Sequence, residues 1–274
     1  MSDADSPKPI SSPDPSKDKR PLILVTNDDG ATAPGILALA DAMRPLGDVV
    51  IVAPDKPQSG MGHAITINAP LFVNRLADYG TDIPVYACSG TPVDCVKLAR
   101  DVILHRRADL CVSGINHGSN SAINVLYSGT MSAAMEGALE GIPAIGFSLL
   151  DYRSDADMTA AAHYARILAE KALSAGLPKG TLLNVNVPAL PLDDIKGMRW
   201  CRQADAQWVE EFDERKDPRG RKYYWLTGRF ENYDKGEDAD ETALAAGYVS
   251  VVPVQYDFTA YGALAELKQT WKLP

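Results

Sequence analysis

Short apolar runs, each closed by a polar or glycine-rich loop, alternate along this chain with stretches of helical periodicity. Leu22-Ile23-Leu24-Val25 is a continuous apolar run bounded by Asn27-Asp28-Asp29-Gly30. A run without polar alternation suits a parallel strand buried on both faces. Pro34 to Met43 follows as a helix with proline in its first turn. Val49 to Pro54, Val85 to Cys88, Leu110 to Val112, Ala144 to Phe147 and Leu182 to Val187 read as further buried strands. Between them, helices are predicted over Pro92 to about Leu104, Met131 to Glu140, and 157–174. This alternation implies right-handed βαβ units and predicts an α/β fold with a doubly wound, mostly parallel sheet.

Both ends of the chain have a different texture. Residues 1–20 are Ser, Pro, Asp and Lys with almost nothing to bury, which predicts a disordered polar tail. The core is expected over 21–190, and 191–274 is expected to add an arm, a late strand and a final helix to the same domain. Trp200 to Arg202 and Tyr223 to Thr227 read as the strands of a projecting hairpin, separated by the charged stretch Glu210 to Arg221. Its aromatics (Trp208, Phe212, Tyr223, Tyr224, Trp225) either face a partner or fold back on the sheet. Gly247 to Val252 is read as the late strand and Ala260 to Trp271 as the final helix.

A net charge of −9 excludes the basic footprint that nucleic-acid polymers require. No apolar run approaches the ~20 residues of a membrane helix. The first residues lack the apolar core of a secretion signal, so the chain is expected to be soluble and cytoplasmic. The four cysteines show no metal-ligand spacing and are read as core residues. Any phosphate bound by so acidic a protein must be held by a cation or by backbone N–H groups.

In an open parallel sheet ligands bind beyond the carboxyl ends of the strands, and the polar residues of this chain gather there. Asp28 and Asp29 are adjacent carboxylates that repel one another. A hard divalent cation such as Mg²⁺ or Mn²⁺ would compensate them, with oxygen ligands added by Ser59 and Asn116. The competing reading is that one aspartate caps the following helix, which explains one and leaves the other. Ser128-Gly129-Thr130 before a small-residue helix reads either as a phosphate cradle or as a plain helix cap. His63 and His117 lie in the same glycine-rich loops, as proton donors or as loop residues. A Gly-x-Gly-x-x-Gly loop and a Walker lysine loop are both missing.

Taken together, these segments resemble the SurE family of nucleotidases. The resemblance rests on Leu24 to Gly30 with Pro34-Gly35-Ile36, Ala53-Pro54-Asp55 with Gln58-Ser59-Gly60, Ser113 to Gly118, Tyr127 to Gly137, and Asn184 to Pro188. It implies a Rossmann-like core with a projecting C-terminal arm that pairs chains into homodimers or homotetramers. It also implies hydrolysis of nucleoside 5′- and 3′-monophosphates, with short polyphosphate as a further substrate, using one divalent cation. The family's metal ligands fall on Asp28, Asp29, Ser59 and Asn116, and its phosphate contacts on Ser128, Gly129 and Thr130. Asn27 and Gly60 are expected to touch substrate beside them. Asp28 or Asp29 is expected to activate a water directly, since an aspartyl-phosphate enzyme of the haloacid-dehalogenase type wants Asp-x-Asp. The alternatives are a phosphatase of other small phosphoesters and a non-catalytic nucleotide sensor. The family's usual Thr-Asp pair in the arm stands here as Ala239-Asp240.

Overall fold

The computed structural model describes residues 20–77 and 82–271. The tail expected over residues 1–20 therefore lies, apart from Arg20, outside the described residues. Arg20 is fixed, its guanidinium donating to the carbonyl of Arg44 at 2.8 Å.

The chain runs through β1 (Leu22–Thr26), α1 (Pro34–Met43), β2 (Asp48–Pro54), β3 (Val73–Leu76), β4 (Val85–Cys88) and α2 (Pro92–Leu98). A π-helical turn, Ala99–Ile103, extends α2, and β5 (Leu110–His117) follows. A 3₁₀ turn (Ala122–Leu126) then leads to α3 (Gly129–Leu139), β6 (Ala144–Leu149), α4 (Thr159–Ala175) and β7 (Thr181–Val187). The remainder comprises β8 (Met198–Trp200), β9 (Ala206–Lys216), β10 (Lys222–Asn232), α5 (Asp240–Ala245), β11 (Val249–Gln255) and α6 (Tyr261–Thr270).

Nine strands form one sheet in the order β3-β4-β2-β1-β5-β6-β7-β11-β8. Neighbours are parallel except at the β3–β4 and β7–β11 junctions. Successive side chains of a strand point to opposite faces, and here each face has its own core. Ile23 and Val25 pack with Ile36 and Leu39 of α1 and with Ala165 and Leu168 of α4. Leu24, between them, packs on the other side with Cys95 and Val96 of α2 and Met131 and Ala134 of α3. The five residues of β1 are all buried, which is why the run shows no polar alternation.

The C-terminal part departs from the sequence reading in detail. Trp200 ends β8, which pairs in parallel with β11 at the sheet edge, and is not a hairpin strand. The hairpin is β9 against β10, paired antiparallel from Ala206↔Asn232 to Lys216↔Lys222. Of the charged stretch read as a separator, Glu210 to Lys216 continues β9 and 217–221 form the turn; the strand part went unread because both ribbon faces meet water and no apolar alternation marks it. Its aromatics differ in setting. At the base, Trp208 packs edge-on against Phe230 and its Nε1 donates to Asn124 Oδ1 at 2.8 Å, whereas Phe212, Tyr224 and Trp225 farther out are exposed. Among the described residues no helix is long and apolar enough to cross a membrane.

Leu24 is 1% exposed in a close-packed face. Leu24→Ala is expected to destabilise the chain by about 2–5 kcal/mol, read as a lower denaturant midpoint with an unchanged slope.

Candidate active site

From β1 the chain winds to β2 on one side, while β5 lies on the other side of β1. The carboxyl ends of β1 and β5 thus flank a topological switch point, where open α/β sheets leave a crevice for ligands. The loop after β1 is closed by Asn27, whose Nδ2 donates to the Gly30 carbonyl at 3.0 Å and whose Oδ1 accepts the Gly30 N–H at 3.1 Å. Both ends of that amide are occupied within the turn, so the side chain read as a substrate contact shapes the loop in this structure.

This turn aims Asp28 at the amino end of α3. Thr130 Oγ1 donates to Asp28 Oδ1 at 2.5 Å, and the Thr130 N–H also points at the carboxylate. The approach is close enough that a Cβ on Gly129 would lie 2.6 Å from the Asp28 Cβ and 2.8 Å from its Oδ2. Glycine at 129 is thus a requirement of the site. Ser128 is the helix cap, its Oγ accepting the Met131 N–H at 3.0 Å. Of the two readings of Ser128-Gly129-Thr130 the structure shows the cap, and the helix end faces the Asp28 carboxylate.

Asp29 turns toward β5, near enough to His117 that its backbone N–H and imidazole favour the charged carboxylate. Asn116 follows a bulge at which the β5–β6 register shifts between Ser113 and Asn116, and bulges re-aim side chains. α1 presses on that bulge so closely that a Cβ on Gly35 would overlap the Ile115 carbonyl oxygen. Asn116 Nδ2 donates to the Gly118 carbonyl at 2.9 Å, and among the described residues no donor reaches its Oδ1. Asp28, Asp29, Asn116 and the start of α3 are thus brought together. Ser59 and Gly60 lie on the neighbouring loop, exposed, one and two residues beyond Gln58, whose N–H donates to the Asp28 carbonyl at 2.8 Å. No bond joins the Ser59 hydroxyl to the aspartates.

Several buried polar atoms at this corner lack a partner: Asp29 Oδ2, Thr26 Oγ1, Ser113 Oγ and His117 Nδ1. Thr26 and Ser113 are register partners on β1 and β5. An unsatisfied buried polar group costs about 1–3 kcal/mol, so such a cluster calls for a water or a ligand to complete the bonding. Among the described residues no three His, Cys, Asp or Glu side chains gather to hold a metal. A cation seated on two carboxylates would therefore draw its remaining ligands from hydroxyl, amide and water oxygens, the donor set of a hard ion. The residues present fit such an ion.

The electrostatics point the same way. Burial pushes the Asp28 carboxyl up to about 6, against the lowering effect of the Thr130 hydrogen bond, and the adjacent Asp29 raises it further. Burial also raises Asp29, with His117 opposing it. Sequence reasoning missed Thr26 and Ser113; a hydroxyl residue ending each of two adjacent apolar runs is the signal that would have found them.

The family model described as Survival protein SurE matches residues 23–210. A protein of Christiangramia forsetii named 5′-nucleotidase SurE is 59% identical over 93% of this chain and 98% of its own length. One of Phocaeicola vulgatus with the same name is 46% identical over 94% of this chain and 99% of its own. Among solved structures, the SurE protein from Aquifex aeolicus superimposes with a TM-score of 0.79 at 39% identity, over 91% of this chain and 99% of that one.

The raised Asp28 carboxyl has a consequence for metal-free protein. The folded state prefers the protonated acid, so ionising it as pH rises through about 6 removes stability. At about 1.4 kcal/mol per pKa unit the loss is about 3 kcal/mol at neutral pH and above. In EDTA, Asp28→Asn is expected to melt several degrees higher than the parent near pH 8 and to converge with it near pH 4. A thermal melt series across this range checks it.

Proposed function

The chain belongs to the SurE family, and on that premise we propose that this 5′-nucleotidase hydrolyses nucleoside 5′- and 3′-monophosphates with one divalent cation, Mg²⁺ or Mn²⁺. The reading is carried by one observation above all: a buried Asp29 Oδ2 without a partner, beside a second carboxylate that faces the amino end of α3. Asp28 and Asp29 hold the cation, with Ser59 Oγ and Asn116 Oδ1 as its other protein ligands. When bound, such an ion acidifies a water and offsets negative charge on the phosphoryl oxygens.

The remaining work falls to the chain itself. Asp29 or Asp28 orients the attacking water and accepts its proton as the phosphorus–oxygen bond to the nucleoside breaks, and the departing nucleoside oxygen takes a proton from solvent. Thr130 keeps Asp28 in place, which leaves the Gly129 N–H and the Ser128 hydroxyl proton to meet the substrate phosphate at the helix end. Short polyphosphate enters by the same terminal phosphate. The arm joins copies into a homodimer or homotetramer, a reading supported by the exposed Phe212, Trp225 and Leu226. The four cysteines are free and buried, which supports a reducing, cytoplasmic setting.

The test is phosphate release from nucleoside monophosphates, sugar phosphates and short polyphosphate, after EDTA and with Mg²⁺ or Mn²⁺ restored. Release from nucleoside monophosphates should vanish in EDTA and return with either ion. Asp29→Asn should lower kcat about 10²–10⁴-fold, the scale of a general base. Turnover indifferent to EDTA, or undiminished in Asn116→Ala, overturns the cation site. Tight nucleotide binding without release makes the protein a sensor instead.

For the arm, Trp225→Glu should give a smaller species in sedimentation. An unchanged mass removes the arm from the assembly.

A further inference from the structure

The segment from the end of β2 to β3 carries Ser59 and has no regular structure of its own, so its shape is set by what fastens it. Its two ends are held by the Asp55 N–H on the Cys88 carbonyl at 2.7 Å and the Phe72 N–H on Ser89 Oγ at 2.9 Å, and just before Ser59 the Gln58 N–H donates to the Asp28 carbonyl at 2.8 Å. From Ser59 to Thr66, three ties are to backbone groups. The Gly62 N–H donates to the Tyr127 carbonyl at 3.3 Å, and Thr91 Oγ1 donates to the Ala64 carbonyl at 2.8 Å. The Thr66 N–H donates to the Asp94 carboxylate at 3.1 Å.

The fourth tie is between side chains and reaches α3 directly. His63 Nε2 lies 3.0 Å from Glu136 Oε2, and Lys97 Nζ of α2 donates to Glu136 Oε1 at 2.5 Å. Glu136 sits about two helical turns beyond Ser128 on the helix whose first turn holds Asp28. Its side chain is 4% exposed, whereas His63 is 33% and Lys97 43% exposed. Burial raises the Glu136 carboxyl, but the hydrogen bonds from His63 and Lys97 outweigh it and hold it below its ordinary value. The carboxylate therefore accepts, and the His63 Nε2–H donates.

A buried carboxylate is weak as a device for stability, since its desolvation offsets most of what its ion pairs return. An apolar side chain would fill this site on α3 at least as well. What an apolar residue would not do is fix His63, four residues along the loop from Ser59. The loop would then be held beside Asp28 on the near side of Ser59, through the Gln58 N–H, but would lose its side-chain tie on the far side.

We propose that Glu136, acting through His63, is a positioning residue that holds the Ser59 loop against the cation site. This rests on the reading of Ser59 as a ligand. One helix then sets both sides of the site: Asp28 at its first turn, and the Ser59 loop at its third. Residues that orient metal ligands in this way alter metal affinity by about 10–100-fold when removed.

Mn²⁺ binding to the metal-free full-length protein, followed by calorimetry or by the electron paramagnetic resonance of free Mn²⁺, reads this without turnover. His63→Ala and Glu136→Ala should each weaken Mn²⁺ about tenfold. The double variant should be no weaker than the worse single, since both break one contact. Glu136→Gln, which still accepts from His63, should recover most of the affinity. His63 lies in a partly exposed loop, so His63→Ala decides the matter even where Glu136→Ala does not fold. Ser59→Ala separates the two readings. Mn²⁺ affinity that falls in Ser59→Ala but not in His63→Ala overturns the positioning role alone. Affinity unmoved in Ser59→Ala overturns the ligand reading and the positioning role with it, and additive losses in the double variant overturn the shared contact.

Discussion

Asp28 is a carboxylate taken out of water and set against the first turn of α3, and most of the surrounding architecture follows from that one placement. A buried charge is tolerated only where fixed dipoles or a counter-charge meet it. The helix end supplies part of this through the Thr130 hydroxyl and N–H. The fit leaves no room for a side chain at 129. The turn before it must be tight, which Asn27 ensures by closing on Gly30. What the helix does not neutralise is visible in the raised carboxyl and in the orphaned oxygens beside it.

A second constraint positions the opposite wall. α1 packs on β5 through Gly35 so closely that the Ile115 carbonyl occupies the volume of a Cβ. The bulge in β5 then delivers Asn116 and His117 to Asp29. Behind them, a buried amide network ties the following loop to the sheet: Asn120 Nδ2 donates to Ser148 Oγ and Asn184 Nδ2 to the Asn120 carbonyl, both at 2.8 Å. Asp240 of α5 accepts the Ala122 N–H at 2.8 Å and the Ala204 N–H at 3.0 Å, joining the same loop to the base of the arm. Residues far apart in sequence thereby set the shape of a short stretch between Asn116 and Ser128.

The buried strands were legible because burial on both faces leaves an apolar run, so β1, β2 and β4 were located to within a residue, and β7 as well despite Asn184 and Asn186. β5 runs on past Val112 through Ser113 to His117, where polar residues continue a strand that bulges toward the site. β9 carries no such mark because water bathes both faces, whereas the run Tyr223 to Thr227 marked part of β10, and β3 is a polar edge. α5 is six residues inside an acidic stretch, too short for a periodic signal. At the site, the paired aspartates announced themselves by adjacency alone. The engagement of Thr130 with Asp28 spans 102 positions and depends on the fold. Glu136 was within reach of sequence reasoning, as the one acid inside a helix of small residues. So was the capping pattern Thr91-Pro92-Val93-Asp94, whose aspartate also anchors Thr66.

The β9–β10 ribbon leaves the sheet behind at Ala206 and extends for eleven residues on each strand. At about 3.4 Å per residue that is a reach of roughly 35 Å. A lone two-stranded ribbon with solvent on both faces is marginal by itself. Its opening is therefore separable from unfolding of the double-faced core, and the molecule has two scales of cooperativity. Amide protons of the ribbon tip would exchange within the time that those of β1 stay locked. A protease would clip Asp217-Pro218-Arg219-Gly220 while the nine-stranded body remained intact.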